Sequence, residues 1–477
     1  MSRKKFYITT SIMYTNSPPH IGFAFESIQA DVIARYHRLL DKYTLFLTGT
    51  DEHGTKVAKA AKETGKNPEE FVDEIARKVK ELKKVLNLSN DDFIRTTDQK
   101  RHWPAVKKVW LKLKESGDIY KTKYQAFYCS GCEAFLTKKD LVDGKCAIHQ
   151  TKPEIVDEEN YFFKLSRYSG EIERAIEKEE MRIIPETRKN EILSFIRQGL
   201  EDISFSRPRE KLEWGIPVPD DETQTLYVWA DALTNYISAI GYFEETEQFK
   251  KFWPADIHCI GKDIIRFHAV IWPGMLLSLR LPLPKTIFVH GFITVGGQKM
   301  SKSLGNVIDP FKLVEKYGTD AVRYFLLREI PPTEDGDFTY EKFEKRYNAD
   351  LAAGIGNLVA RVITLAEKLP YELRIKPNYE FKKEIKKTWE NYHGALEEFK
   401  FNEALISIWD LISFCDKYIE KEKPWQKSEK QKSTISNLQT TIIEIAKLLQ
   451  PFLPETSEKI LRQIKNKKPE ILFPKII

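Results

Sequence analysis

The sequence predicts an α/β protein in which a parallel sheet is interrupted by a small metal-binding insertion and followed by an all-helical C-terminal third. Three observations predict it. First, residues 6–12 are aromatic and β-branched and read as a strand, and residues 43–47 read as a second. Between them Phe25, Ile28, Val32, Tyr36 and Leu39 recur at steps of three and four, the spacing of a helix. Strand, helix, strand is the building unit of a parallel sheet. Second, Cys129-x2-Cys132 is followed, after thirteen intervening residues, by Cys146-x2-His149. Third, beyond Asp309-Pro310 the pattern is helical almost throughout, with amphipathic stretches at 351–369, 399–420 and 434–449.

At 477 residues the chain is too long for one core, so about two to four domains are expected. A net charge of +6 is a mild tilt toward anionic partners. Five cysteines suggest no disulfide framework and a reducing compartment. The basic N-terminus has no long apolar stretch after it, so neither a signal peptide nor a membrane span is expected.

Ligands of a parallel sheet sit beyond the carboxyl ends of its strands, and the polar segments around His20 and Asp51 lie at such ends. Residues 171–201 and 226–242 read as helical. A short strand at 256–260 precedes Gly261-Lys262-Asp263, and a strand at 287–295 runs into Gly296-Gly297 and then "QKMSKSLGN". No internal repeat or low-complexity tract interrupts this order.

His20-Ile21-Gly22 follows two prolines at a helix start. Free backbone N–H groups and the helix dipole favour a phosphate there, glycine lets a flat base approach, and the imidazole can donate to phosphate oxygens. Alone, the motif reads equally well as a turn histidine with a helix-start glycine. Lys299-Met300-Ser301-Lys302-Ser303 places two ammoniums beside a glycine turn, where they can stabilise charge on a transferring phosphate. A generic Lys/Ser loop would simply be solvated. Cys129, Cys132, Cys146 and His149 are four soft donors suited to tetrahedral zinc. No water-activating carboxylate is evident between them, so a closed structural site is expected; the alternative is a scatter of reduced core cysteines.

"SIMYTNSPPHIGFAFESIQADVIARYHR", "LTGTDEHGTKV", "YVWADALTNY", "CIGKDIIRFHAVIWPGML" and "VHGFITVGGQKMSKSLGN" follow one another along the chain. Together they resemble the class I aminoacyl-tRNA synthetases, whose signatures are His-Ile-Gly-His and Lys-Met-Ser-Lys-Ser, and within that class the methionyl-tRNA synthetases. His20 and Gly22 match the first signature, and Phe23 stands where its last histidine would be. The resemblance implies a Rossmann-type parallel-sheet catalytic domain with a zinc-knuckle connective insertion and a C-terminal α-helical bundle. The expected divisions are 1–115 and 211–310 for the two catalytic halves, 116–210 for the insertion, 311–345 for a stem-contact connector and 346–477 for an anticodon-binding domain.

The resemblance also implies roles. His20, Gly22, Lys299 and Lys302 would be catalytic. ATP would be bound by these four with Gly261, Asp263, Met300, Ser301 and Ser303. Ser11, Ile12, Tyr14, Trp229, Ala232, Tyr236, Ile264 and His268 would line a methionine site, and Asp51 would hold the substrate ammonium. Sulfur packs well on aromatic rings and an ammonium needs a fixed carboxylate, so the chemistry is sensible. Trp229 and Tyr236 without the flanking blocks would read as helix core. The family usually has alanine at Ser11 and proline at Met13 and Leu233. Asn357, Arg361 and Trp425 match residues that contact the methionine anticodon. One structural zinc, magnesium with ATP, methionine tRNA as partner, a cytoplasmic location and a monomer lacking a C-terminal tRNA-binding module complete the expectation.

Three other readings compete. An isoleucine, valine or leucine enzyme of the class would need an editing domain, for which the stretch between His20 and Lys299 is short, and a cysteine enzyme is a further member. A small-molecule nucleotidyltransferase would not need the helical region. A zinc-bearing RNA-binding protein without catalysis is favoured only by Phe23.

Overall fold

The computed structural model describes residues 3–131, 133–136, 141–147, 150–300, 305–367 and 377–476. They divide into two compact units. The first takes in the N-terminal segment to Pro19 together with His37–Lys83 and Ser89–His290; the second takes in His20–Tyr36, Lys84–Leu88 and the chain from Gly291 onward.

The first unit is built on a seven-stranded sheet. Its strands are β1 (Lys5–Thr10), β2 (Met13–Tyr14), β3 (Tyr43–Asp51), β4 (Asp92–Arg95), β5 (Arg182–Ile184), β6 (Ile257–Gly261) and β7 (Thr286–His290). The path runs β5-β7-β6-β1-β3, all parallel, with β4 on the far side of β3. Thr50 of β3 pairs with Met13 on one side and Arg95 on the other, so β2 continues the β1 side of the sheet. Chain order reverses at β1, which lies between β3 and β6. That is the switch point where open α/β sheets bind ligands. Tyr7, Ile8, Phe46, Ile260, Ile287 and Val289 are buried, as strands covered on both faces require. Helix Pro68–Val85 shows the local logic. Proline and two glutamates open it, and Phe71, Val72, Ile75, Ala76, Val79 and Leu82 form one buried stripe.

The insertion pairs Ile119–Cys129 antiparallel with Glu154–Phe163, flanked by Ala134–Leu136 and Ile203–Ser204. A hairpin of Leu141–Val142 and Lys145–Cys146 follows. Cys129 and Cys146 are buried in one apolar cluster with Leu136. Cys132 and His149 lie outside the described residues, and among the described residues no group of three metal-ligating side chains forms.

In the second unit Ile293–Val295 forms a hairpin with Gln298–Lys299 and pairs in parallel with Gly336–Phe338. The helices Tyr379–Glu397, Phe401–Glu422, Gln431–Leu449 and Pro454–Asn466 follow, and Phe381, Tyr392, Leu405, Ile408, Ile442, Ile445 and Leu448 fill their core. A continuous helical run, Tyr340–Glu367, is long and apolar enough by composition to cross a membrane. Its apolar residues Leu351, Ile355, Leu358, Val359, Val362 and Ile363 are buried in the protein instead.

Three sequence expectations need correction. The stretch 171–201 is two helices, Ser169–Glu177 and Glu186–Arg197, around strand β5, whose three residues are too few to show a period. The stretch 226–242 is helical only over Val228–Leu233 and Asn235–Ser238, and its first residue ends a strand. The run 287–295 is two strands in different sheets, because the chain bends where the Phe292 N–H donates to Asp335 Oδ1 at 2.8 Å.

Candidate active site

The loop after β3 carries Asp51, Glu52 and His53 in succession, and their side chains meet different fates. Glu52 is neutralised by Arg95, whose Nε and Nη2 donate to its two oxygens at 2.7 and 2.9 Å. His53 Nδ1 lies 2.7 Å from Asp231 Oδ2. Asp51 is buried, and its Oδ1 has no hydrogen-bond partner among the described residues. Its main-chain oxygen is fixed by Thr15, from N at 2.9 Å and Oγ1 at 3.0 Å. Burial pushes the Asp51 carboxyl well above the usual range, helped by the negative charges of Asp231 and Glu133. A buried carboxylate oxygen without a donor is a ready acceptor for a ligand ammonium.

An aromatic and imidazole wall belongs to the same unit. Trp229 stacks flat on Phe267 at 3.7 Å with 4° between the planes, and meets His268 edge-on at 6.3 Å. Tyr236 is fully buried; its carbonyl accepts from Tyr7 Oη at 2.8 Å and its hydroxyl lies 2.7 Å from His268 Nε2. His268 Nδ1 donates to the Ile264 carbonyl at 2.9 Å, so in the neutral ring Nε2 accepts from Tyr236. Burial keeps that ring neutral by lowering its pKa to about 4. His258, 4.2 Å from the Tyr236 ring, is held well below its ordinary value, mainly by burial. Ala232 is buried, while Ile12 and Ile264 pack half-buried against the core. The Ser11 N–H donates to Cys259 O at 2.9 Å, which fixes the chain as it leaves β1. Tyr14 donates its hydroxyl to Glu133 Oε2. Beyond β6 the Asp263 carboxylate folds over Gly261, its Oδ1 only 2.8 Å from where a Cβ there would stand.

Sequence reading missed the support beneath this wall. Asp231 accepts from His53 and, through Oδ1, pairs with His102 Nε2 at 2.8 Å; His102 Nδ1 reaches Ser238 Oγ at 2.8 Å. Burial would raise the Asp231 carboxyl, yet the two imidazoles outweigh it and hold it below the usual range. Phe267, Glu133 and His258 were missed as well. Only Phe267 had a local signal, since it adjoins His268.

In the second unit His20 precedes helix Ile21–Leu39. The Gly22 N–H donates to His20 Nδ1 at 3.0 Å and the Ile21 N–H to Ile308 O at 3.0 Å. The helix-start N–H groups expected to face a phosphate are therefore bonded within the protein at these two positions. Their bonding has a chemical consequence: with Nδ1 accepting, the neutral imidazole carries its proton on Nε2, the atom able to donate. A Cβ at Gly22 would stand 2.8 Å from His20 Cε1, so only glycine lets the ring fold back. Met300 Cε comes to 3.8 Å from the same point, which brings the lysine-loop start beside the helix start. Lys299 is exposed, 5.2 Å over the Phe292 ring, whereas Ser301, Lys302 and Ser303 lie outside the described residues. Phe23 is half-buried. Further on, Asn357 is exposed, Arg361 Nη1 lies 3.2 Å from Asp416 Oδ1, and Trp425 is 55% exposed.

A family profile described as "tRNA synthetases class I (M)" matches residues 6–146 and 130–363, and one described as "Anticodon-binding domain of tRNA ligase" matches 378–475. These matches, over a parallel sheet, a histidine-glycine helix start and a C-terminal helical domain, make the chain a class I aminoacyl-tRNA synthetase. The methionine–tRNA ligase of Caldanaerobacter subterraneus subsp. tengcongensis is 44% identical over 99% of this chain and 79% of its own length. That of Thermotoga maritima is 44% identical over 96% and 75%. The Mycobacterium tuberculosis methionyl-tRNA synthetase in complex with methionyl-adenylate superposes with a TM-score of 0.91 at 37% identity, covering 99% of both chains. The chain belongs to the methionyl-tRNA synthetase family.

Proposed function

We propose that the protein joins L-methionine to methionine tRNA in two steps. The methionine carboxylate attacks the α-phosphate of ATP, and the bond to the β-phosphate breaks to release pyrophosphate. The terminal ribose hydroxyl of the tRNA then attacks the activated carbonyl, loses its proton and displaces AMP. Neither step needs a protein nucleophile, so catalysis is positioning and charge stabilisation.

Asp51 holds the ammonium. Tyr14, Trp229, Tyr236, Ile264 and His268, with Ser11, Ile12 and Ala232, enclose the thioether side chain. His20 donates from Nε2 to ATP phosphate oxygens, with Lys299 and Lys302 neutralising charge on the departing phosphates. Gly22, Gly261 and Asp263 accommodate the nucleotide, and Met300, Ser301 and Ser303 complete the loop. Magnesium bound with ATP adds charge neutralisation at the phosphates. Asn357, Arg361 and Trp425 read the anticodon, the tryptophan by stacking on an unpaired base. Cys129, Cys132, Cys146 and His149 hold a structural zinc. The burial of Cys129 and Cys146 in one cluster suits that donor set, and the metal supplies cross-linking rather than chemistry. The enzyme acts in the cytoplasm.

The observation that carries this reading is the unpartnered Asp51 Oδ1 in the unit that holds the aromatic wall. Asp51→Asn should lower kcat/KM for methionine in ATP–pyrophosphate exchange by at least about 30-fold, the effect of removing one partner of a buried charge pair. Exchange kinetics equal to wild type would refute the assignment.

A further inference from the structure

Glu133, from the antiparallel insertion, sends its side chain to Tyr14. It is buried at 5% exposure and held with a positive φ of 49°. Its Oε2 accepts the Tyr14 hydroxyl. Its Oε1 accepts Thr55 Oγ1 at 2.8 Å and the Lys56 N–H at 3.0 Å, both in the first turn of helix Thr55–Glu63, where a carboxylate is favoured. Lys56 closes the arrangement: its ammonium donates to Gly131 O and lies 5.9 Å over the Tyr14 ring. Gly54 admits the pair, since its φ of +118° suits glycine and a Cβ there would stand 2.5 Å from Tyr14 Oη and 2.8 Å from Glu133 Oε1.

We propose that Glu133 is a positioning residue for methionine activation, fixing the Tyr14 ring at the amino acid site and tying it to the start of helix Thr55–Glu63. This rests on the reading of Tyr14 as part of the methionine site. The insertion then contributes to substrate affinity as well as to the fold. A ring held in place before methionine arrives loses less freedom on binding, so the effect falls on methionine and spares ATP.

The test is pyrophosphate exchange by the full chain, with methionine and ATP varied separately, in wild type, Glu133→Ala, Glu133→Gln, Tyr14→Phe and the double variant Glu133→Ala/Tyr14→Phe. Zinc content and melting temperature are measured alongside. Glu133→Ala should raise the methionine KM about tenfold, as loss of a hydrogen bond to a charged group implies, and leave the ATP KM within about twofold. Tyr14→Phe should do the same, the double variant should be no worse than either single change, and Glu133→Gln should recover part of the loss because its amide oxygen still accepts. An unchanged methionine KM in Glu133→Ala, or additive effects in the double variant, would overturn the inference while leaving the activity intact. So would a parallel rise in both KM values with loss of zinc, which would make Glu133 a structural residue only. A wild type with no methionine-dependent exchange would overturn the functional reading, and the inference with it.

Discussion

His268 shows how much of the aromatic wall depends on one protonation state. Its Nδ1 is committed to the Ile264 carbonyl, so the Tyr236 hydroxyl has an acceptor only while the ring is neutral. Burial lowers the folded-state pKa from 6.5 to about 4. Between those values the unfolded chain binds a proton that the folded chain refuses, so this contribution to stability is complete above pH 6.5 and is lost as pH falls toward 4. The free energy of unfolding should therefore drop less steeply between pH 6.5 and 4 in His268→Gln than in wild type; identical slopes would show that the ring does not titrate as its burial requires. At this scale the sequence is legible where chemistry is written in adjacent residues. His20 and Gly22 are recognisable because two positions apart they form one local hydrogen bond, and Lys299 because it sits beside a glycine turn. The partners of Asp231 and Tyr14 were illegible for the opposite reason. His53 and Asp231 are 178 positions apart and Tyr14 and Glu133 are 119 apart, and no local pattern encodes such meetings.

Helix Thr319–Arg328 also depends on partners distant in sequence. Its pattern reads as an ordinary apolar helix, yet Arg323 in its middle is fully buried. The guanidinium donates to Phe452 O at 2.7 Å, Pro451 O at 2.9 Å and Leu86 O at 3.0 Å, and pairs with Asp31 at 2.8 Å. One side chain thereby satisfies three carbonyls from two separate segments of the second unit. Arg323→Ala would leave those acceptors and part of the Asp31 charge uncompensated, and should destabilise the protein by about 3 kcal/mol in denaturant unfolding. A loss below about 1 kcal/mol would mean that water replaces the guanidinium at little cost. Long periodic elements were legible: the stretches expected at 399–420 and 434–449 are Phe401–Glu422 and Gln431–Leu449. Short ones were not. Arg182–Ile184 takes its strand conformation from pairing with Thr286, Ile287 and Phe288, which lie far away in sequence.

For the whole molecule, the residues proposed for the amino acid site and the tryptophan proposed to read the anticodon belong to different units. Asp51 and the Trp229 wall belong to the first unit, Trp425 to the second, where it is 55% exposed and so available for stacking. Trp425→Ala should leave pyrophosphate exchange intact and lower charging of methionine tRNA by about five- to a hundredfold, the worth of one base stacked on an aromatic ring. An unaltered ratio of charging between methionine tRNA and an anticodon-swapped copy would remove Trp425 from anticodon reading. The family was legible from the sequence because several long blocks occur in one order, and the matching profiles extend over 6–363 and 378–475. Selection of methionine by the proposed site is read out by ATP–pyrophosphate exchange with wild-type protein and each amino acid in turn. Exchange with methionine should run at a kcat/KM at least about a hundredfold above that with leucine, isoleucine, valine or cysteine, the discrimination expected of a shaped hydrophobic pocket. Equal or faster exchange with any of those four, or none with methionine, would contradict it.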